Sequence, residues 1–254
     1  MATPAQAAKF DRVNRKLESE IERDIRRVWS ALEAFSPEGK RDALLDLLPS
    51  LVTKYGDVAA AVAAEYFEES TGLAAFVPDF DFNDGVESAV RYGIGHSFSG
   101  NDAQAMSLIS ANARRFMLQH GRSTMYDSAA NHVGVFYARV PEAGACHWCR
   151  LLASRGAAYT SKKTASKVTE GKRVGEDFHN DCRCSVAAAR DDSELPYDPE
   201  PLYDEYLSAR NTDPADLVER GSMTDDQYRM KVAALTGNTD AAIAARMRAM
   251  YGGN

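Results

Sequence analysis

No uninterrupted apolar run in this 254-residue chain is longer than Val58 to Ala64. That is far short of the ~18 residues that cross a bilayer, so no membrane span is expected. The opening stretch MATPAQAAKFDRVNRK has no apolar h-region, and no signal peptide is expected. Cysteine is scarce, at four residues. A chain of this length buries about 70% of its unfolded surface and needs no disulfide staples. Apolar residues at 44% and charged residues at 26% are ordinary globular values. A disulfide-rich toxin, a collagen and a fully disordered chain are therefore excluded. A Gly-rich phosphate loop is missing, so no small-molecule cofactor is signalled. A G-x-S-x-G elbow is missing too. Basic residues fall short of acidic ones, 30 against 37, which disfavours general adhesion to nucleic acid.

What is present begins as helix. Phe10, Val13, Leu17, Ile21, Ile25, Val28 and Leu32 recur at three- and four-residue steps between charged positions, which predicts one long amphipathic helix. Such a stripe packs on its own domain or, given its terminal position, on a partner. Ser36-Pro37 starts a second helix, with Ser36 as cap and Pro37 in the first turn. Leu44, Leu45, Leu47, Leu48, Leu51 and Val52 supply its buried face, and Pro49 is expected to kink or split it. An Ala-rich helix restarts after Gly56-Asp57 and ends at Thr71-Gly72. Phe76 to Phe82 reads as extended. Two helices are expected near Asn83 to Phe98 and Ala103 to His120.

The pattern changes near Asn131. Val133 to Val140 is β-branched and aromatic and reads as a strand, with a shorter candidate at Cys182 to Ala187. The residues between read as a loop. Beyond Arg190, DDSELPYDPEP is an acidic, proline-rich linker. Short helices are expected from Asp213-Pro214, from the capping box Thr224 to Gln227, and from Thr239. The fold class that results is α+β, with a helical N-terminal region (1–125), a small β-containing, metal-clipped Cys/His domain (126–190), and an acidic linker with a flexible helical tail (191–254).

Charge is uneven along the chain. Arg150, Arg155, Lys162, Lys163, Lys167, Lys172 and Arg173 face one acid, Glu170, whereas Asp191 to Glu205 carries seven acids and no cation. These are two solvated surface segments, or else the basic one contacts DNA or an acidic partner.

The most specific signal is the clustering of Cys146, Cys149, His179, Cys182 and Cys184 as CHWC, a long loop, and HNDCRC. Zinc takes about four N/S ligands in a tetrahedron, and its sites usually join two short ligand pairs across a loop. Cys146, Cys149 and His179 are the firmest ligands. Cys182 or Cys184 completes the set, and His147, inside the knuckle, points away. With four places filled no position is open to water, so the expectation is a structural clip closing 150–178. Disulfides, a redox C-x-x-C and buried free thiols are the other readings. The first lacks a secretion signal, the second a βαβ context, and the third leaves the histidine unexplained.

The segment from about Tyr126 to Ala188 resembles the phage Mu F-like family of minor capsid, or head morphogenesis, proteins. The resemblance is carried by FYARV (Phe136 to Val140), CHWC (Cys146 to Cys149), LLASRGAAY (Leu151 to Tyr159) and FHNDCRCSV (Phe178 to Val186). Asn180 stands where the family pattern has proline, and the spacing is kept. The resemblance implies a virion protein of the tailed-phage head, present in few copies in the capsid interior and in host cytoplasm during assembly. It implies the portal or major capsid protein as partner, binding rather than catalysis, and structural zinc on Cys146, Cys149, His179, Cys182 and Cys184. Proteins that look like this one are also labelled capsid maturation protease.

A protease needs a nucleophile beside a base. Ser97 follows His96, with Ser99 two further on, but adjacent residues rarely pair Oγ with imidazole. His120 and His132 are the other bases, and His120 reads as a helix-end residue in the favourable field of the helix dipole. A His-Asn-His nuclease needs a later second histidine, and none follows His179. A DNA-binding role for 150–173 has only Tyr159 for base stacking, which leaves weak, salt-sensitive contact with packaged DNA.

Overall fold

The computed structural model describes residues 3–158, 182 and 184–252. These form two compact units, one of residues 3–135 with 182, the other of residues 136–158 with 184–252. Eight α-helices and one two-stranded sheet are described, so the chain is α+β with helices toward both ends. No helix among the described residues is long and apolar enough to cross a membrane.

The first unit is built from α1 (Pro4–Ala31), α2 (Pro37–Thr71), α3 (Asn83–Phe98) and α4 (Asp102–Ala130). Thr3 and Gln6 make a reciprocal capping box on α1, and Ser36 Oγ accepts from Gly39 N to start α2. Leu17, Ile21, Ile25 and Leu32 of the predicted stripe, joined by Trp29 from outside it, enter a core with Leu44, Leu48 and Val52 of α2, Val86, Val90 and Ile94 of α3, and Ile109, Ala113 and Met117 of α4; Val13 and Val28 pack against it. Each large aliphatic side chain removed from water contributes about 1.5–3 kcal/mol. The stripe is thus used within its own unit. Lys40, buried under the Trp29 ring, reaches the carboxylate of Asp102 and ties the starts of α2 and α4 together.

Two expectations about helix ends are corrected. Helix α2 is neither split at Pro49 nor restarted at Gly56; it is one helix of 35 residues. Proline costs a helix one hydrogen bond and some strain, roughly 3 kcal/mol. Leu44, Leu48 and Val52, buried on both sides of Pro49, outweigh that. Helix α4 does not stop at His120 but runs on to Ala130, burying Thr124, Met125, Tyr126, Ser128 and Ala129. Both glycines at the α2–α4 crossing are close-packing positions. A Cβ on Gly56 would lie 2.4 Å from His120 Nδ1, and one on Gly121 would lie 3.0 Å from the Ala59 carbonyl oxygen. The Phe76–Phe82 connection, expected as extended, links α2 to α3 without regular secondary structure. Phe76 is stitched to α4 through Ser128, whose hydroxyl accepts from Phe76 N and donates to Phe76 O.

In the second unit, β1 (Phe136–Val140) pairs antiparallel with β2 (Ser185–Ala189), Phe136 opposite Ala189 and Val140 opposite Ser185. The strand expected from Val133 begins only at Phe136. Gly134, at φ +78°, breaks the extended run. The second strand starts after the cysteines, at Ser185. After CHWC the chain is helical rather than loop: α5 covers His147–Ala153.

The C-terminal helices are α6 (Glu200–Asn211), α7 (Asp225–Leu235) and α8 (Asp240–Tyr251), and Pro214–Leu217 is only a 3-10 turn. α6 was unexpected, because Pro201 reads as a breaker; here it occupies the first turn, where its missing N–H costs nothing. The tail is helical but packed, not loose. Leu151 and Leu152 of α5, Ala209 of α6, and Ile243, Ala244 and Met247 of α8 share one core. Arg246 is buried within it and donates to Ala209 O, Leu235 O and Gly237 O at 2.6, 2.5 and 2.8 Å, holding the ends of α6 and α7 against α8. The acidic linker also packs: Tyr197 donates to Ala153 O at 2.7 Å, and Asp192 accepts from Ala157 N at 2.6 Å.

Candidate metal centre

Cys146, Cys149 and Cys184 are positioned where β1, α5 and β2 meet in the second unit. Cys146 is the residue before α5, with extended backbone (φ −64°, ψ 158°), and the helix then carries Cys149 one turn on. Cys184 immediately precedes β2, and Cys182 is tethered two residues upstream. Cys149, Cys182 and Cys184 are 0%, 6% and 3% exposed, and their three sulfurs lie within 4.8 Å of one another. All four cysteines are among the described residues and none is in a disulfide. The trio is therefore close enough to hold a metal ion.

The donor set passes a simple geometric test. With metal–sulfur bonds of ~2.3 Å in a tetrahedron, coordinated sulfurs stand about 3.8 Å apart. A mutual spacing of at most 4.8 Å needs only a small contraction. Both expected candidates for the last pair position, Cys182 and Cys184, are in the cluster. Cys146 is half-buried and its sulfur is outside the trio. His179 lies outside the described residues. His147 is buried at the start of α5, is not part of the trio, and has no hydrogen bond at Nδ1 among the described residues.

Two arginines at the cysteines escaped the sequence reading. Arg139, in the middle of β1 and 1% exposed, points Nη1 at Cys149 Sγ, 3.3 Å away. Arg122, buried on α4, donates from Nη2 to the Cys182 carbonyl oxygen at 2.7 Å. The signal for Arg139 was present in FYARV, where an arginine interrupts an otherwise apolar strand. A lone charge in a strand is ordinarily read as facing water.

The basic segment meets the acidic one directly. Arg150 makes a two-toothed ion pair with Glu205, its Nε 3.0 Å from Oε2, and Arg155 Nη2 is 2.6 Å from Asp240 Oδ1. Two of the seven cations considered for DNA contact thus already have carboxylate partners. The remaining five, Lys162 to Arg173, lie outside the described residues.

The residues considered for proteolysis have other surroundings. Ser97 is buried at the end of α3, Ser99 is the residue capping that helix, and the His96 ring meets Tyr92 edge-on at 6.4 Å. His132 Nε2 lies 2.8 Å from Ala74 O. His120 is a mid-helix residue, not a helix-end one. Its ring sits over Gly56, 4.6 Å from the Phe80 ring and 4.9 Å from Phe82, and its Nδ1 is 3.0 Å from Phe116 O. Burial pushes its imidazole below the usual histidine range. Among the described residues, no serine hydroxyl is hydrogen-bonded to a histidine ring.

No curated protein and no solved structure matches the chain. A family model described as VG15 protein does match, and it covers residues 1–209, which takes in all four helices of the first unit, the sheet, the whole cysteine cluster and most of α6. On that coverage the chain belongs to the VG15 protein family, a family of viral proteins.

Proposed function

We propose that the protein is a minor capsid protein of a tailed phage, acting in head assembly at the portal or in the capsid interior by binding rather than catalysis. The observation that carries this reading is the convergence of CHWC and DCRC on one buried sulfur cluster within a chain of a viral family. These are the segments that carry the resemblance to the Mu F-like head proteins. Residues 126–190 are the functional module on this reading, and the helical region before it offers the surface for the portal or shell.

Zinc is the metal the donor set suits best, because thiolates favour a soft or borderline ion and a small tetrahedral shell. Cys149, Cys182 and Cys184 would hold it, with Cys146 or His179 in the remaining place. The ion supplies no chemistry here beyond coordination. It would tie the segment between Cys149 and Cys182 at its two ends and contribute folding free energy directly, since the unfolded chain has no such site. The Arg150–Glu205 and Arg155–Asp240 pairs keep α5 seated on α6 and α8. Any contact with packaged DNA rests on the remaining lysines and arginine between 162 and 173.

The test is location and chemistry together. The protein is expected in purified phage particles at low copy number. Co-expression with the major capsid protein is expected to leave that protein at full length. Absence from particles overturns the capsid reading. Shortening of the major capsid protein that disappears on Ser97→Ala or His96→Ala would replace binding with proteolysis.

A further inference from the structure

Burying a guanidinium costs several kcal/mol unless it finds negative charge and good hydrogen bonds. Arg139 is buried at the centre of β1, and it spends one fork tip on a sulfur, Cys149 Sγ, at 3.3 Å. A neutral thiol is a poor acceptor and returns little for such a contact. A metal-bound thiolate is a different partner. A divalent ion held by three thiolates and a neutral fourth ligand such as His179 carries one net negative charge, which one guanidinium offsets; with Cys146 as a fourth thiolate the excess is two, and the guanidinium offsets half of it. The strand register makes the position rigid. Arg139 sits opposite Val186 in the ladder, two residues beyond Cys184, so β2 fixes a ligand and the arginine's own backbone together. Groups of this kind, bonded to a ligand rather than to the ion, commonly govern metal affinity by about 10–100-fold.

We propose that Arg139 is a positioning residue of the cysteine centre: its guanidinium orients Cys149 Sγ toward the ion and neutralises the excess negative charge of the thiolate cluster. This rests on the metal reading above. Ion binding releases the thiol protons to solvent, and Arg139 stays protonated throughout. Its hydrogen bond withdraws electron density from the Cys149 sulfur. It therefore raises the energy needed to move an electron from that sulfur to a bound metal.

The experiment uses the full chain, reduced and metal-free, titrated with cobalt(II) and then with zinc against a chromophoric chelator. Wild type, Arg139→Lys and Arg139→Gln are compared. Wild type is expected to take one ion, with a sulfur-to-cobalt charge-transfer band. Arg139→Gln is expected to bind about 10–100-fold more weakly, with that band moved to lower energy. Arg139→Lys keeps the charge but not the planar fork, and is expected to recover part of both. A general loss of packing would lower affinity without moving the band. If Arg139→Gln binds as wild type does with an unmoved band, the assignment of Arg139 is overturned and the metal centre stands. If Arg139→Gln does not fold by circular dichroism, Arg139→Lys decides: an intermediate affinity with a shifted band supports the role, and wild-type values for both overturn it. If wild type itself binds neither ion with its thiols reduced, the metal reading fails and takes this proposal with it.

Discussion

Gly56→Ala offers a quantitative trial of the α2–α4 crossing. In an exposed helix the change would stabilise by about 0.5–1 kcal/mol, because glycine loses more backbone freedom on folding. Here the new Cβ would stand 2.4, 2.5 and 2.6 Å from Nδ1, Cε1 and Cγ of His120. A long flexible side chain would swing away. The imidazole has little room to do so, because Phe80 and Phe82 flank it and Phe116 O holds Nδ1. Overpacking of this kind costs about 1–3 kcal/mol. Subtracting the propensity gain leaves a net loss of about 0–2.5 kcal/mol. Gly95 in α3 provides the control. A Cβ there meets nothing within 4 Å, so Gly95→Ala is expected to gain about 0.5–1 kcal/mol. Urea unfolding reports both, read through Trp29 in a Trp148→Phe background, since the chain has only these two tryptophans. A double-mutant cycle isolates the contact. His120→Ala removes the obstruction, so Gly56→Ala should cost less in that background by the overpacking energy, about 1–3 kcal/mol. Greater stability of Gly56→Ala, or a coupling near zero, would refute the packing argument.

Three further outcomes are expected. His120 has a folded-state imidazole held below its usual range by burial, so between that value and about 6.5 the unfolded chain binds the extra proton. Its contribution is therefore complete above about pH 6.5 and falls on acidification by at most ~1.4 kcal/mol per pH unit, which urea titrations at a series of pH values will show; a His120→Phe variant that keeps the same slope would contradict it. Arg246→Met removes three bonds to the carbonyls of Ala209, Leu235 and Gly237, and limited proteolysis between α6 and α8 should speed up while unfolding read at Trp29 stays unchanged. Chelation of metal from the reduced protein should open the 150–178 region to protease, and re-addition of zinc should close it; indifference to chelator would count against a clip.

Sequence periodicity located the helical half, though not the continuity of α2 or the end of α4, because each helix of the first unit owes its buried face to residues three and four apart on its own segment. It was also enough to single out the cysteines, because a C-x-x-C and a C-x-C within one short stretch are rare without a shared purpose. Caps such as Ser36, Thr224 and Thr239 were legible for the same reason: their hydrogen bonds close within three residues. What the sequence left undecided depends on partners far away in the chain. Whether Pro49 and Gly56 break a helix is settled by Leu44, Leu48 and Val52 and by a histidine 64 positions downstream. Whether Arg150 and Arg155 are free for a phosphate is settled by Glu205 and Asp240. Which cysteines meet is settled by α5, which leaves Cys146 outside its first turn and carries Cys149 into the cluster. Arg139 shows the limit most plainly. Local pattern assigns a charge in a strand to water, and only the fold, by closing a sulfur over it, turns that charge into part of a buried site.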